Sequence, residues 1–106
     1  MLLDLDHNAH VLEYFDLPSV ELHAFGGPAY AGRLPTIGVF HRAAGTAKDA
    51  ADVALAMYAG RWMHEYSESN RHVIVVSADM SLANVSMELR EDGVSSDFVT
   101  PAKVLD

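Results

Sequence analysis

Three places in this chain set carboxylates at the end of an apolar run or at the opening of a helical pattern. Leu2-Leu3-Asp4-Leu5-Asp6 ends a first short apolar run with two acids, and His72-Val73-Ile74-Val75-Val76-Ser77-Ala78-Asp79 ends the strongest run with another. Between them, Lys48-Asp49-Ala50-Ala51-Asp52 opens a long Ala-rich stretch with two more. In a parallel α/β sheet, ligands bind beyond the carboxyl ends of the strands, where the strand order reverses. Acids at those positions meet in space, and converging carboxylates call for a divalent metal. The chemistry this pattern suggests is metal-dependent cleavage of a phosphodiester.

Each acid also has a plainer reading. Asp79 follows a buried strand directly, which favours ligand contact, but it is also placed to cap a helix beginning near Ser81. Asp52 is read as lying about a turn and a half inside its helix, where Asp is a poor helix former. Its plain alternative is a surface pair with Lys48, four residues earlier. Asp49 suits the first turn through the helix dipole alone, so Asp52 is the favoured ligand and Asp49 the helper or cap. Asp4 and Asp6 share a face only if the strand runs through both; Asp4, inside the apolar run, is the likelier to reach the site. His7, Asn8 and His10 come next, a run suited to holding a substrate phosphate or a metal-bound water, with Asn8 the candidate, although such a run is more often just a polar loop. His23, His41, His64 and His72 show no ligand spacing and are assigned no role.

The elements that must position these groups follow from periodicity. Residues 1–5 read as a strand and 7–16 as a loop entering a short helix that stops before Pro18. Val20 to Phe25 is a second strand, closed by Gly26-Gly27-Pro28. Ala29 to Leu34 has room for little more than a turn, and Thr36 to His41 is a third strand. Thr46 is the expected cap of a helix running to about Glu68, with Asp49 in the capping-box position. Ala51, Leu55, Tyr58, Trp62 and Tyr66 mark its inner face. Residues 72–77 form the central strand, unbroken in its apolar run as a strand covered on both faces is. A helix from Ser81 to Glu91 ends at Asp92-Gly93, and Val94 to Val99 is a last strand. Strands alternating with helices predict a Rossmann-like three-layer sandwich around a mainly parallel sheet of about five strands. The runs ending in Asp4 and Asp79 are expected to be central neighbours.

Composition sets outer limits. The chain has 106 residues, half of them hydrophobic, which suits one globular domain over residues 1–106. No apolar run approaches the length that spans a membrane, there is no basic leader before an apolar stretch, and there is no cysteine. A cytoplasmic protein is expected. The net charge of −8, from 7 basic and 15 acidic side chains, weighs against a broad electrostatic grip on nucleic acid. It leaves open a site whose own cations reverse the local sign.

The block from Lys48 to Arg61, the strand from Ile74 to Asp79 and the helix end Leu89-Arg90-Glu91-Asp92-Gly93 resemble the PIN-like/NYN group of nuclease domains. That group has a Lys-Asn-Ala-x-Asp helix start, a Tyr-x-Gly-Arg helix and a strand ending Ser-x-Asp. Leu3-Asp4-Leu5-Asp6 resembles its opening strand, and Val20–Gly27 with Pro28 its second. The resemblance spans roughly residues 2–99. It implies Mg²⁺ or Mn²⁺ held by Asp4, Asp52 and Asp79, with Asp6 and Asp49 flanking, and hydrolysis of RNA or, less often, DNA. Lys48, with Asn8, is then the expected substrate-binding pair. The chain departs from the pattern at Asp49, where the group has Asn, and at Asn8, one place late. After Asp79 the sequence is Met80-Ser81-Leu82, without the group's second acid and aromatic.

Two other functions compete. Asp4-Leu5-Asp6 also resembles the nucleophile motif of haloacid-dehalogenase-like phosphatases, but that chemistry needs a later Lys and acidic pair and a longer chain. The other rival is a degenerate PIN-like domain that binds a protein partner or a second copy, with Trp62 and Tyr66 as candidate contact aromatics.

Overall fold

In the computed structural model, which describes residues 1–6, 8–45 and 49–102, five short strands form one sheet. They are β1 (Leu2–Asp4), β2 (His23–Gly26), β3 (Val39–Arg42), β4 (His72–Val76) and β5 (Ser95–Val99). All pairings are parallel, in the order β3-β2-β1-β4-β5. The order reverses between β1 and β4, so the crevice that such sheets use for ligands opens beyond Asp4 and Val76. The expected neighbouring of the first and fourth strands is observed.

The two sheet faces are covered unequally. On one, Leu2, Phe25, Val73 and Val75 pack against α2 (Ala50–Glu68) and α3 (Ala83–Glu91) through Leu55, Ala59, Tyr66 and Leu89. On the other, Leu3, Ala24 and Val76 meet Val11 and Leu12, from the 3-10 turn Ala9–Val11 and the four-residue α1 (Leu12–Phe15). This is a three-layer α/β arrangement with one thin layer. The alternation of side chains along each strand decides which residues serve which layer. Leu2 and Asp4 therefore point to the α2 side and Leu3 away from it.

Several elements are shorter than their apolar patterns suggest. β3 begins at Val39 and not Thr36, because the amides of Thr36, Ile37 and Gly38 donate to the Asp16 carboxylate, at 2.6, 2.8 and 2.9 Å, and not to a neighbouring strand. β2 begins at His23, since Val20 N–H closes a turn onto Leu17 C=O. The helix expected from Ser81 starts as a 3-10 turn, Met80–Leu82, before α3. α2 starts at Ala50 with Asp49 as its N-cap residue, which puts Asp52 in the first turn and not a turn and a half inside. The expected cap Thr46, like His7 and Lys48, lies outside the described residues. The chain leaves α2 through Asn70, at φ 54°, and α3 through Gly93, at φ 85°, both in the left-handed conformation that ends helices.

Asp16 is the structural acid of the chain. The three amides it accepts, with Thr36 foremost, hold its carboxyl below the usual carboxylate range. Asp16→Ala would leave those amides without their acceptor and free the segment entering β3. We expect a lower melting temperature for this variant than for Asp97→Ala, whose carboxylate meets the exposed His72 ring. Differential scanning calorimetry of the two variants measures the contrast.

Candidate metal centre

The crevice beyond β1 and β4 collects acids from three parts of the chain. A cleft of about 160 Å³ is lined by Asp4, Asp6, Asn8, Asp49, Asp52, Ala78 and Asp79. Asp49, Asp52 and Asp79 each bring a carboxylate oxygen within 4.8 Å of the others. Larger hollows exist, among them one of about 380 Å³ by Met1, Glu21 and Arg71, but that one lies at the amino ends of the strands.

Local chemistry explains each position. Asp4 ends β1 and is 3% exposed; its Oδ1 accepts the Asp6 amide at 3.0 Å and its Oδ2 the Ser77 hydroxyl at 2.9 Å. Asp79 follows β4 and caps the 3-10 turn, its Oδ1 accepting from the Ser81 amide at 2.9 Å and the Ser81 hydroxyl at 2.7 Å. The capping role and a place in the acid cluster are thus not alternatives, since a carboxylate has lone pairs for both. Asp49 is the N-cap residue of α2, yet its side chain makes no capping hydrogen bond and turns to the cluster instead. Asp52, three residues on, comes from the same helix terminus, where the dipole favours negative charge.

Burial and crowding work against that charge. Burial, followed by the neighbouring Asp79 and Asp4 carboxylates, pushes the Asp52 carboxyl up to about 7. A proton on Asp52 lets its hydroxyl donate one hydrogen bond to a neighbouring carboxylate, Asp79 foremost. Burial also raises Asp4, against the opposing pull of the Ser77 hydroxyl and the Asp6 amide. Carboxylates that keep a proton near neutral pH occupy a site short of positive charge.

The remaining expected site residues are placed differently. Asp6 lines the cleft from the loop after β1, outside the close trio, and its Oδ1 accepts the Gly27 amide at 3.2 Å. A Cβ on Gly27 would lie 3.2 Å from the other Asp6 oxygen, so this close approach suits glycine. Asn8 is 2% exposed, and its Nδ2 donates to the Asp6 carbonyl at 3.0 Å, so it braces the loop that carries Asp6. Of the candidate contact aromatics, Tyr66 is buried in the core and Trp62 packs partly against it.

Ser77 is the residue that sequence reasoning passed over. It is fully buried, donates to Asp4 and accepts the Asp79 amide at 3.0 Å, which ties the ends of β1 and β4 together. A polar residue closing the strongest apolar run was the available signal. His23 and His41 were also given no role, yet His23 Nδ1 and His41 Nε2 are 3.0 Å apart, and the Tyr58 hydroxyl is 3.2 Å from His23 Nε2.

Comparison with known protein families, with curated proteins and with solved structures returns no match for this chain. The site is therefore judged on its own geometry. Three carboxylates at one crevice, all hard oxygen donors, form a group that could hold a divalent cation. No helix among the described residues is long and apolar enough to cross a membrane.

Proposed function

We propose that this domain is a metal-dependent phosphodiesterase of the PIN-like/NYN type, acting on RNA, with DNA as the less favoured substrate. The observation that carries the reading is the convergence of Asp49, Asp52 and Asp79 within 4.8 Å at the switch point of a parallel sheet, with the buried Asp4 beside them. Asp52 and Asp79 would hold the cation, Asp4 and Asp49 would complete its surroundings, and Asp6 would flank it. When bound, the cation supplies a polarised water and a counter-charge for the leaving oxygen. The chain's own groups do the rest. Ser77 holds Asp4 and the Asp79 backbone at fixed separation, Ser81 fixes the Asp79 carboxylate, and Asn8 steadies the loop bearing Asp6. Asp52, raised to about 7, would have to give up its proton to hold the cation.

A second reading is a module that binds a protein partner. Val53 and Met57, one turn apart on α2 and 57% and 72% exposed, favour it. Metal-dependent cleavage separates the two readings. Purified protein incubated with single-stranded RNA and Mn²⁺ should cut it, and chelator should stop the cut. Asp49→Asn should remain active within about tenfold, the cost of disturbing an outer partner of a metal site. Glu91→Gln, at the exposed end of α3, should match the wild type. No metal-dependent cleavage of RNA or DNA would favour the protein-binding module.

A further inference from the structure

The acid cleft has an aromatic-walled neighbour on the same face of the sheet. Asp4 pairs in register with Phe25, and Phe25 with His41, so the three lie in one row across β1, β2 and β3. Register partners in a parallel sheet point to the same face, here the face under α2. The row thus runs straight from the acids toward the β3 edge. Phe25 and His41 stack with centroids 4.7 Å apart and planes 14° apart, and Tyr58 meets Phe25 edge-on at 5.5 Å. Together with Ala54, Met57 and Arg61 they line an open groove of about 590 Å³.

We propose that this groove is a subsite for one unpaired nucleotide of a single strand, its base against the His41 and Tyr58 rings and its phosphate on Arg61. The inference rests on the phosphodiesterase reading of the acid cleft and names what holds the strand there. Three observations select this occupant. First, the wall is aromatic, the His41 ring stacked on Phe25 and the Tyr58 ring set at 49° to His41, and exposed aromatic faces are where splayed bases stack. Second, the rim carries a cation available to a phosphate. Arg33 and Arg71 pair with Glu13 and Glu21, and Arg42 and Arg90 are bound to backbone carbonyls. Among the described residues, Arg61 meets only the Trp62 ring, at 5.7 Å. Third, the groove lies next to the acids, with Phe25 the register partner of Asp4 and Ala54 two residues after Asp52 on α2. Tyr58 follows Asp52 by six residues, about 9 Å along the helix axis, a distance on the scale of neighbouring nucleotides in an extended strand. A net charge of −8 weighs against a broad electrostatic grip on the phosphate backbone, which shifts the hold on a strand toward stacking and a few placed cations.

The paired rings hold their positions without a ligand. His23 spends Nδ1 on His41 and Nε2 on the Tyr58 hydroxyl, which locks the His41 and Tyr58 side chains from below. Burial lowers both imidazoles from their ordinary value, which favours the uncharged rings. Neutral rings at this separation share one hydrogen bond and do not repel.

Trp62, the sole tryptophan, lies 6.2 Å from Tyr58 and under Arg61, so its fluorescence reports on the groove. The experiment titrates uridine and adenosine 5′-monophosphates, and ribose 5-phosphate as the base-free probe, into wild type and variants. Chelator is present, so that no cation bridges phosphate to carboxylate. Both nucleotides should give a saturable change, with ribose 5-phosphate at least roughly tenfold weaker, as expected for a lost stacking contact. Arg61→Ala, an exposed change that spares the core, should weaken nucleotide binding by roughly tenfold. His41→Leu, checked for fold by circular dichroism, should do the same, and Tyr58→Phe, which keeps the ring, should bind within about twofold of wild type. Equal binding of ribose 5-phosphate and nucleotide, no saturable change in wild type, or an Arg61→Ala protein indistinguishable from wild type would overturn the subsite. This readout needs neither metal nor turnover. A protein that binds nucleotide but never cleaves loses the phosphodiesterase reading alone; one that cleaves RNA but ignores Arg61→Ala loses the subsite alone.

Discussion

Asp52→Asn should abolish metal-dependent cleavage and, in the same protein, raise the melting temperature of the metal-free domain above neutral pH. The amide keeps the shape of the side chain but loses the charge that holds a cation, so the loss of activity should exceed the roughly 10- to 100-fold that follows removal of an outer-shell partner. The stabilising effect comes from the same carboxylate. Burial, with Asp79 and Asp4 behind it, pushes Asp52 from 3.8 to about 7 in the folded chain. Between those values the folded protein binds a proton that the unfolded chain has released. Stability of the metal-free form therefore falls as pH rises from about 4 to about 7 and levels off above. Asparagine has no proton to lose and escapes this penalty. Melting curves of wild type and Asp52→Asn from about pH 4 to pH 9, in chelator, should meet at low pH, draw apart as pH rises to about 7 and keep a fixed gap above it. Curves parallel over the whole range would mean that Asp52 is not crowded by the other acids, and an active Asp52→Asn protein would end the metal reading. A residue that weakens the fold for the sake of a site is a common trade between stability and activity.

The second large effect is stabilisation by metal. A ligand that binds only the folded state adds RT ln(1 + [L]/Kd), about 2.7 kcal/mol at a hundredfold excess over Kd. For a domain of this size each kcal/mol moves the midpoint by about 4–8 °C, so saturating Mn²⁺ or Mg²⁺ should raise Tm by roughly 10–20 °C at pH 8. The shift should shrink as pH falls below about 7, because the cation must displace the proton on Asp52. The same melts with Asp52→Asn should show little response, and with Glu91→Gln the full one. An unchanged wild-type midpoint in millimolar metal would favour the protein-binding module, with Val53 and Met57 as its surface.

What the sequence determined by itself is the order and type of the elements. The unbroken apolar run His72–Val76 requires a central strand, and the Ala-rich stretch through Glu68 requires a long helix able to lie close on a sheet. The handedness of crossovers then places Asp4 and Asp79 at adjacent strand ends. These features are local, carried by periods of two and 3.6 residues that a linear reading can count. Tertiary structure alone decided the rest. Thr36–Gly38 has the composition of a strand, but Asp16, twenty residues away, takes its amides. Asp52 moved into the first turn because α2 opens only at Ala50. Ser77 became the tie between two strand ends, and His23, His41 and Tyr58 became one wall, through pairings that span 73, 18 and 35 residues of sequence. Such contacts leave no periodic trace, because a hydrogen bond across the sheet depends on register and depth and not on neighbours in the chain. The sequence placed the acids at the ends of their elements, while the crowding that holds a proton on Asp52 near 7 arises only from their meeting in a buried crevice.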